Sequence, residues 1–452
     1  MAADGVRFFA PRAWIAGAWA RDVLLAVAAD GTWSAIQPDA GPDAQRDAHV
    51  LAGPVLPGLV NGHSHAFQRA MAGLAERSGG SEDNFWSWRD RMYRLAHRMN
   101  PERLEAVAAF LYQELVHAGY TQVCEFHYLH HAATATNADP LEMATALVRA
   151  ARRTGIGLTL LPTLYMRAGF AAPSLRDDQR QFTSTPDSVL RIAAHVREFA
   201  PDGRVTSGIA IHSLRAVGAS ALAELVAGAS KDMPIHVHIS EQQQEVDDCQ
   251  IHLGRRPIEW LAANVALDAR WNLVHATHAD PQEFETMRRR GVSVVLCPST
   301  EANLGDGVFD LPGWLGLSGN WSIGSDSHVT RSWQEELRLA EYSQRLLHRK
   351  RNIAAQASLA DSSAAALFEG ALLGGSAAAG LPLAGIAIGQ RADFMVIDTQ
   401  APALAGVDAD DVLDALVFSS PEAPPSQVYV AGSAVPPRDP AIAAAYAAAL
   451  RD

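Results

Sequence analysis

Cysteine is scarce in this sequence. Its three residues in 452, Cys124, Cys249 and Cys297, are scattered and odd in number. That excludes a disulfide framework and a Cys-x-x-Cys zinc knuckle, and it fits a reducing, cytoplasmic setting. Basic charge is also in deficit. The 37 Lys and Arg face 50 Asp and Glu, a formal net charge of -13, which argues against a nucleic-acid or anionic-membrane surface. A small anionic substrate is still allowed, because a local arginine pair reverses the field inside a pocket. Long apolar runs are missing. The Ala-rich stretch 362–380 is broken by Glu369 and several glycines and makes a poor membrane span. Residues 1–14 lack the basic and apolar regions of a secretory leader.

What is present suffices for a barrel plus an accessory domain: 452 residues, 48% hydrophobic and 19% charged. Residues 8–55 contain short β segments, 10–15 and 23–27, separated by turn residues such as Asp30-Gly31. The middle of the chain alternates short apolar strands with helical stretches. Candidate strands end near His65 and cover 121–127, 157–165, 206–212, 235–240, 271–275, 292–297 and 322–326, with helices over 101–118, 141–154 and 187–200. Eight strands with intervening helices predict an α/β fold, a (β/α)₈ TIM-like barrel over residues 57–381. Strand candidates return after Leu381, at 394–398, 415–418 and 427–432, and the tail 440–450 has a helical pattern. Both chain ends, 1–56 and 382–452, are therefore expected to join in one small β-sandwich domain.

Asn61-Gly62-His63-Ser64-His65 follows the apolar run Val55-Leu56-Pro57-Gly58-Leu59-Val60. Side chains alternate along a strand, so both imidazoles point the same way and can grip one divalent metal. In a barrel of this kind the site lies at the C-terminal strand ends. Polar residues gather there: His212 ends strand four, His238 lies on strand five before Glu241, His275 ends strand six and Asp326 strand eight. His63, His65, His238 and Asp326 supply three imidazoles and a carboxylate, a donor set suited to Zn²⁺, with Fe²⁺ and Mn²⁺ as alternatives. Such a metal lowers the pKa of its water to roughly 7. Glu241, three residues after a ligand, becomes a proton carrier, and His275 a partner for the water or the developing oxyanion. His236 competes with His238, but it should lie one layer deeper, as a buried hydrogen-bonded residue. His127, His130 and His131 are assigned to support.

Lysine is rarer than cysteine. Only Lys231 and Lys350 occur, and neither falls on strand four, where two-metal barrels of this type carry a carboxylated bridging lysine. One metal is therefore expected, with a glutamate such as Glu125 as the remaining candidate bridge.

These residues resemble the amidohydrolase superfamily in its mononuclear deaminase branch. The resemblance rests on Leu56-Pro57-Gly58-Leu59-Val60-Asn61-Gly62-His63-Ser64-His65, His238 with Glu241, His275, Ser325-Asp326-Ser327 and Gly389-Gln390-Arg391-Ala392-Asp393-Phe394. More narrowly, the chain is similar to the N-formimino-L-glutamate deiminases of histidine degradation. The telling segments are His63-Ser64-His65-Ala66-Phe67-Gln68-Arg69-Ala70-Met71, Asn84-Phe85-Trp86-Ser87-Trp88-Arg89, Cys124-Glu125-Phe126-His127-Tyr128, His212-Ser213-Leu214-Arg215 and Cys297-Pro298-Ser299-Thr300-Glu301.

The resemblance implies hydrolysis of a formimino group to a formyl group with release of ammonia. It implies His63, His65, His238 and Asp326 as metal ligands, and Glu241, His275 and Asp326 as the proton-handling groups. Gln68, Arg89, Tyr128, His212 and Arg215 would bind the glutamate portion, and the enzyme would be a homodimer. Spacing independently places Arg89 and Arg215 near the pocket mouth, where two guanidiniums suit a small dicarboxylate. The long connection 76–94, with Gly79-Gly80 and Arg89, is the expected lid. Two other readings compete: a deaminase of guanine or a related heterocycle, and a non-enzymatic metal-binding barrel.

Overall fold

The computed structural model describes residues 5–74, 76, 85–132, 139–199 and 203–451. Eight strands follow one another in chain order around a barrel: β1 (Leu59–Ser64), β2 (Tyr120–His127), β3 (Gly157–Leu164), β4 (Ile209–Ile211), β5 (Ile235–Ile239), β6 (Trp271–His275), β7 (Ser293–Leu296) and β8 (Asn320–Ile323). Each pairs in parallel with the next. Strands covered on both faces need apolar residues at every position, which is why these segments appear in the sequence as unbroken apolar runs. The fourth strand, expected as one piece, is broken in two. Val205–Ser207 pairs with β3 and precedes β4. The break falls at Gly208, where a Cβ would lie 2.4 Å from the Pro234 carbonyl oxygen.

The seam between β8 and β1 is closed by Asp326. Its N–H donates to His63 O at 3.0 Å, and its carbonyl accepts from His65 N–H at 3.2 Å. A residue expected at the metal site thus also completes the barrel wall.

The three expected helices are present as Pro101–Ala118, Pro140–Thr154 and Pro186–Phe199. The first shows how local sequence sets its limits. Asn100 Oδ1 accepts from Arg103 N–H at 2.9 Å, and Pro101 starts the helix without an N–H to satisfy. Gly119 ends it at φ +106°, where a Cβ would lie 2.7 Å from the Met395 sulfur. The chain then turns directly into β2.

The two chain ends meet in one eight-stranded mixed sheet that curls beside the barrel. Arg7–Ile15 pairs antiparallel with Ala18–Val27, and Val55–Pro57 pairs antiparallel with Phe394–Val396. Phe8, Trp33, Phe394 and Tyr429 form its core, with the Phe394 and Tyr429 rings stacked at 4.3 Å. The tail is a helix, Pro440–Arg451, as expected. Residues 415–418, expected as a strand, belong instead to a helix, Val412–Phe418. Val412, Leu413, Leu416 and Val417 are all buried. That spacing is one helical face, and its first half lies outside the short apolar run that suggests a strand. No helix among the described residues is long and apolar enough to cross a membrane.

Candidate active site

His63, His65 and His238 converge at the C-terminal end of the barrel. His63 Nε2 lies 3.1 Å from His65 Nε2 and 3.0 Å from His238 Nε2. Asp326 Oδ1 is 3.5 Å from His63 Nε2 and 3.4 Å from His65 Nε2. All four side chains are buried. Two of the three outer nitrogens are engaged: His65 Nδ1 donates to Phe126 O and His238 Nδ1 to His212 O, both at 3.0 Å. Those bonds fix the tautomers of His65 and His238 and leave the Nε2 of each with a lone pair facing the centre. Burial pushes His63 down to about 3 and His238 well below the ordinary histidine value, so the rings are neutral at physiological pH.

Lone pairs that face one another at these distances repel unless something positive lies between them. Bonds of about 2.0–2.1 Å to one ion place donors about 3.0–3.4 Å apart, close to the observed spacing. The donor set therefore fits a divalent cation. Burial alone would raise the Asp326 carboxyl, but contact with His63, His65 and His275 holds it below the usual carboxylate range.

Two further side chains, His275 and Glu241, face this centre from one side. His275 Nε2 is 3.8 Å from Glu241 Oε1 and 3.8 Å from Asp326 Oδ2. Its other nitrogen, Nδ1, lies 3.2 Å from Glu301 Oε1, which also accepts from Cys297 N–H at 2.8 Å. Burial opposes protonation of His275, yet Glu241, Glu301 and Asp326 together raise it to about 10. Burial raises the Glu241 carboxyl, against the pull of His275 and Arg215. Ser240, His275 and Asp326 hold φ of 51°, 68° and 44°, a left-handed conformation that costs non-glycine residues of order 1–3 kcal/mol each. The strand ends are thus bent where the polar groups leave the barrel. Cys297 sits beside His275 and Glu301, but burial raises its thiol well above the ordinary value and Glu301 is already occupied. This trio is a hydrogen-bonded support.

A cleft of about 520 Å³ opens above these groups. The expected metal and proton-handling residues form its floor, His63 excepted, which lies beneath. Gln68, Arg89, Tyr128, His212 and Arg215 form its walls, so the structure brings every expected site residue to one place. Gln68 Nε2 donates to Tyr128 Oη at 3.0 Å. Arg89 lies on the helix Phe85–Ala96, its guanidinium carbon 4.4 Å from the centre of the Trp86 ring; that of Arg215 lies 5.7 Å from the same ring. One indole therefore carries two guanidiniums. Part of the expected lid, 77–84, lies outside the described residues.

Other residues that the sequence singles out lie outside the cleft. His236 is buried, with Nε2 donating to Ala378 O at 2.9 Å. His130 and His131 bond the carbonyls of Thr163 and Thr183. Both oxygens of Glu125 are taken, by Ser64 Oγ and Ala66 N–H at 2.6 Å each, so it braces the turn that carries His63 and His65. Cys124, Cys249 and Cys297 are buried and free.

Four residues in or around the cleft have no role that the sequence patterns assign: Glu301, Tyr93, Tyr165 and Trp86. Tyr165 follows β3 directly, so the strand-end rule that singles out the histidines applies to it too. Tyr93 lies four residues after Arg89 on one helix, hence on the same face.

Residues 55–435 match the Amidohydrolase family. The chain is 47% identical over 425 residues to a formimidoylglutamate deiminase of Pseudomonas aeruginosa, covering 94% of this chain and 93% of that one. Among solved structures, an amidohydrolase from Brucella melitensis superposes with a TM-score of 0.91 at 40% identity, over 99% of both chains. An adenosine deaminase from Xanthomonas campestris, solved with bound zinc, superposes with a TM-score of 0.81. At 21% identity over 99% of this chain and 98% of that one, this likeness concerns the fold alone.

Proposed function

The chain belongs to the amidohydrolase family, and from that premise we propose that it hydrolyses N-formimino-L-glutamate to N-formyl-L-glutamate and ammonia. Near-full-length similarity to the Pseudomonas deiminase supports the reaction. The observation that carries the substrate is the pair of guanidiniums, Arg89 and Arg215, held against Trp86 in the wall of the cleft. Two fixed cations there suit a dicarboxylate, whose charge a neutral heterocycle cannot match.

His63, His65, His238 and Asp326 would hold one divalent cation, with Zn²⁺ the first choice for this donor set. When bound, the cation supplies Lewis acidity and makes water a competent nucleophile near neutral pH. The protein's own groups do the rest. Asp326 Oδ2 accepts the proton given up as water attacks the formimino carbon. His275, raised by Glu241, Glu301 and Asp326, donates a hydrogen bond from Nε2 to the oxygen as negative charge develops and keeps its proton. Glu241, its carboxyl raised by burial, passes a proton to the former imine nitrogen. The hydroxyl proton then returns to Glu241, the proton held by Asp326 passes to the same nitrogen, the C–N bond breaks, ammonia leaves, and the carbon keeps oxygen as a formyl group. Gln68, Tyr128 and His212 complete the walls that hold the glutamate portion.

A cytoplasmic setting is supported by the three free, buried thiols. The homodimer rests on family resemblance. Ammonia release from N-formimino-L-glutamate, compared with guanine and adenosine, tests the proposal. Turnover of guanine without turnover of the formimino acid would overturn it.

A further inference from the structure

A buried amide behind the cleft sets the direction of two phenols. Gln179 is fully buried, and its Oε1 accepts from Arg176 N–H at 3.0 Å. That contact fixes which end of the amide is which. Nε2 then faces the opposite way and donates to Tyr93 Oη and Tyr165 Oη, both at 3.0 Å. Each phenol oxygen is thus an acceptor towards Gln179 and has its own proton left to donate. The two oxygens are 3.5 Å apart, so at most one proton can be spent between them. The other is left for a further acceptor, and both tyrosines line the cleft.

The neighbours of this pair are cations. Arg89 lies over the Tyr93 ring at 5.5 Å. Burial and Tyr93 push the Tyr165 phenol well above its ordinary value, against the pull of Arg215 and Arg89, so it stays a donor. Guanidinium and phenol groups therefore present donors from one side of the cleft. A carboxylate accepts from all of them. A carboxamide at the same point would bring an NH₂ donor against donors, and a missing group would leave the phenol proton without that acceptor.

We propose that Tyr93 and Tyr165, aimed by Gln179, bind a carboxylate of the substrate beside the arginines and set the preference for a free acid over its amide. The inference rests on the formiminoglutamate reading. Gln179 is a positioning residue, and the tyrosines are binding residues that leave the reacting carbon to other groups.

The test is steady-state kinetics of the metal-loaded wild type and of Y93F, Y165F and Y93F/Y165F. Three substrates are compared: N-formimino-L-glutamate, N-formimino-L-glutamine and N-formimino-4-aminobutyrate. Loss of hydrogen bonds to a charged group should lower kcat/KM for the diacid about 10- to 100-fold in the double variant. The loss should appear in KM, with kcat nearly kept. The analogue lacking the contacted carboxylate should be turned over as before, so the preference for the diacid shrinks. Each single variant leaves Gln179 one phenol partner and keeps the test open if the double variant fails to fold. Q179M, which keeps both phenols but frees their orientation, should raise KM less. Wild-type KM and preference in the Tyr→Phe variants would overturn the inference while leaving the substrate reading intact. Failure of the wild type to turn over the diacid would overturn both.

Discussion

His275 Nδ1 and Glu301 Oε1 stand 3.2 Å apart, and this contact determines which nitrogen of His275 faces the reaction. Glu301 is itself anchored by Cys297 N–H, so the imidazole is held from behind by a carboxylate fixed to the backbone after β7. Loss of a supporting partner of this kind typically costs about 10- to 100-fold. E301Q keeps an acceptor but loses the charge, and kcat should fall by that order with metal content unchanged. E301L removes the acceptor too, and should fall further. Wild-type kcat in E301L would show that His275 needs no such support.

Glu241 has a separate task. Its carboxyl is buried and raised, and it faces His275 Nε2 at 3.8 Å. E241Q preserves shape and burial but cannot carry a proton. Turnover should drop by about 10²–10⁴-fold, while metal analysis finds the same content as in the wild type. Normal turnover in E241Q would remove Glu241 from the mechanism.

The convergence of three Nε2 atoms makes metal removal informative. Chelation should abolish turnover and lower Tm, because a ligand bound only to the folded state stabilises it by mass action. Adding Zn²⁺ should restore both. H238A should lose metal content and activity together, since His63 and His65 are left with only Asp326. Full activity after exhaustive chelation, checked by metal analysis, would contradict the cation site.

Arg89 and Arg215 should report on binding more than on chemistry. Replacing either by Met removes a charged partner of a substrate carboxylate, a loss of about 2–5 kcal/mol when the remaining charge stays buried and unpaired. KM for N-formimino-L-glutamate should rise at least tenfold in each variant. Arg215, the more buried, should show the larger rise. An unchanged KM in R215M would place the carboxylates elsewhere.

Stability should fall with acidity through buried neutral histidines. Burial lowers His130 to about 4, below its ordinary 6.5, against the bond its Nε2 makes to Thr163 O. The unfolded chain therefore binds a proton that the folded one refuses between those values. The contribution is complete above pH 6.5 and is lost as pH falls towards 4. H130Q can still donate to Thr163 O but does not titrate. Its Tm should decline less between pH 7 and pH 5 than that of the wild type. Equal declines would show that His130 is not held neutral.

Much of the barrel and its site is legible in the amino-acid sequence. Imidazoles and carboxylates at the ends of apolar strands mark the open end of a barrel, because every strand of a parallel barrel ends on the same face. His63, His65, His238, His275 and Asp326 stand out in that way. Glu301 does not, because its task depends on a helical turn folding back onto β6, which no strand pattern contains. Tyr93 and Tyr165 have the pattern of core aromatics until Gln179, distant in sequence, is seen to meet both hydroxyls. The outer layer is legible as β structure at both chain ends. That the ends form one curled sheet depends on pairing between Val55–Pro57 and Phe394–Val396, which sequence alone does not specify. The helix Val412–Phe418 escapes the strand pattern because four apolar residues, 415–418, are too few to show its 3.6-residue period.

The central claim is that one cleft joins a cation site at its floor to a dicarboxylate site in its walls. A crystal structure of the metal-loaded protein with a non-hydrolysable formiminoglutamate analogue tests it most directly. One ion among His63, His65, His238 and Asp326, with the analogue's carboxylates on Arg89 and Arg215, is the expected result. An ion elsewhere, or an analogue bound with neither arginine in contact, would contradict it.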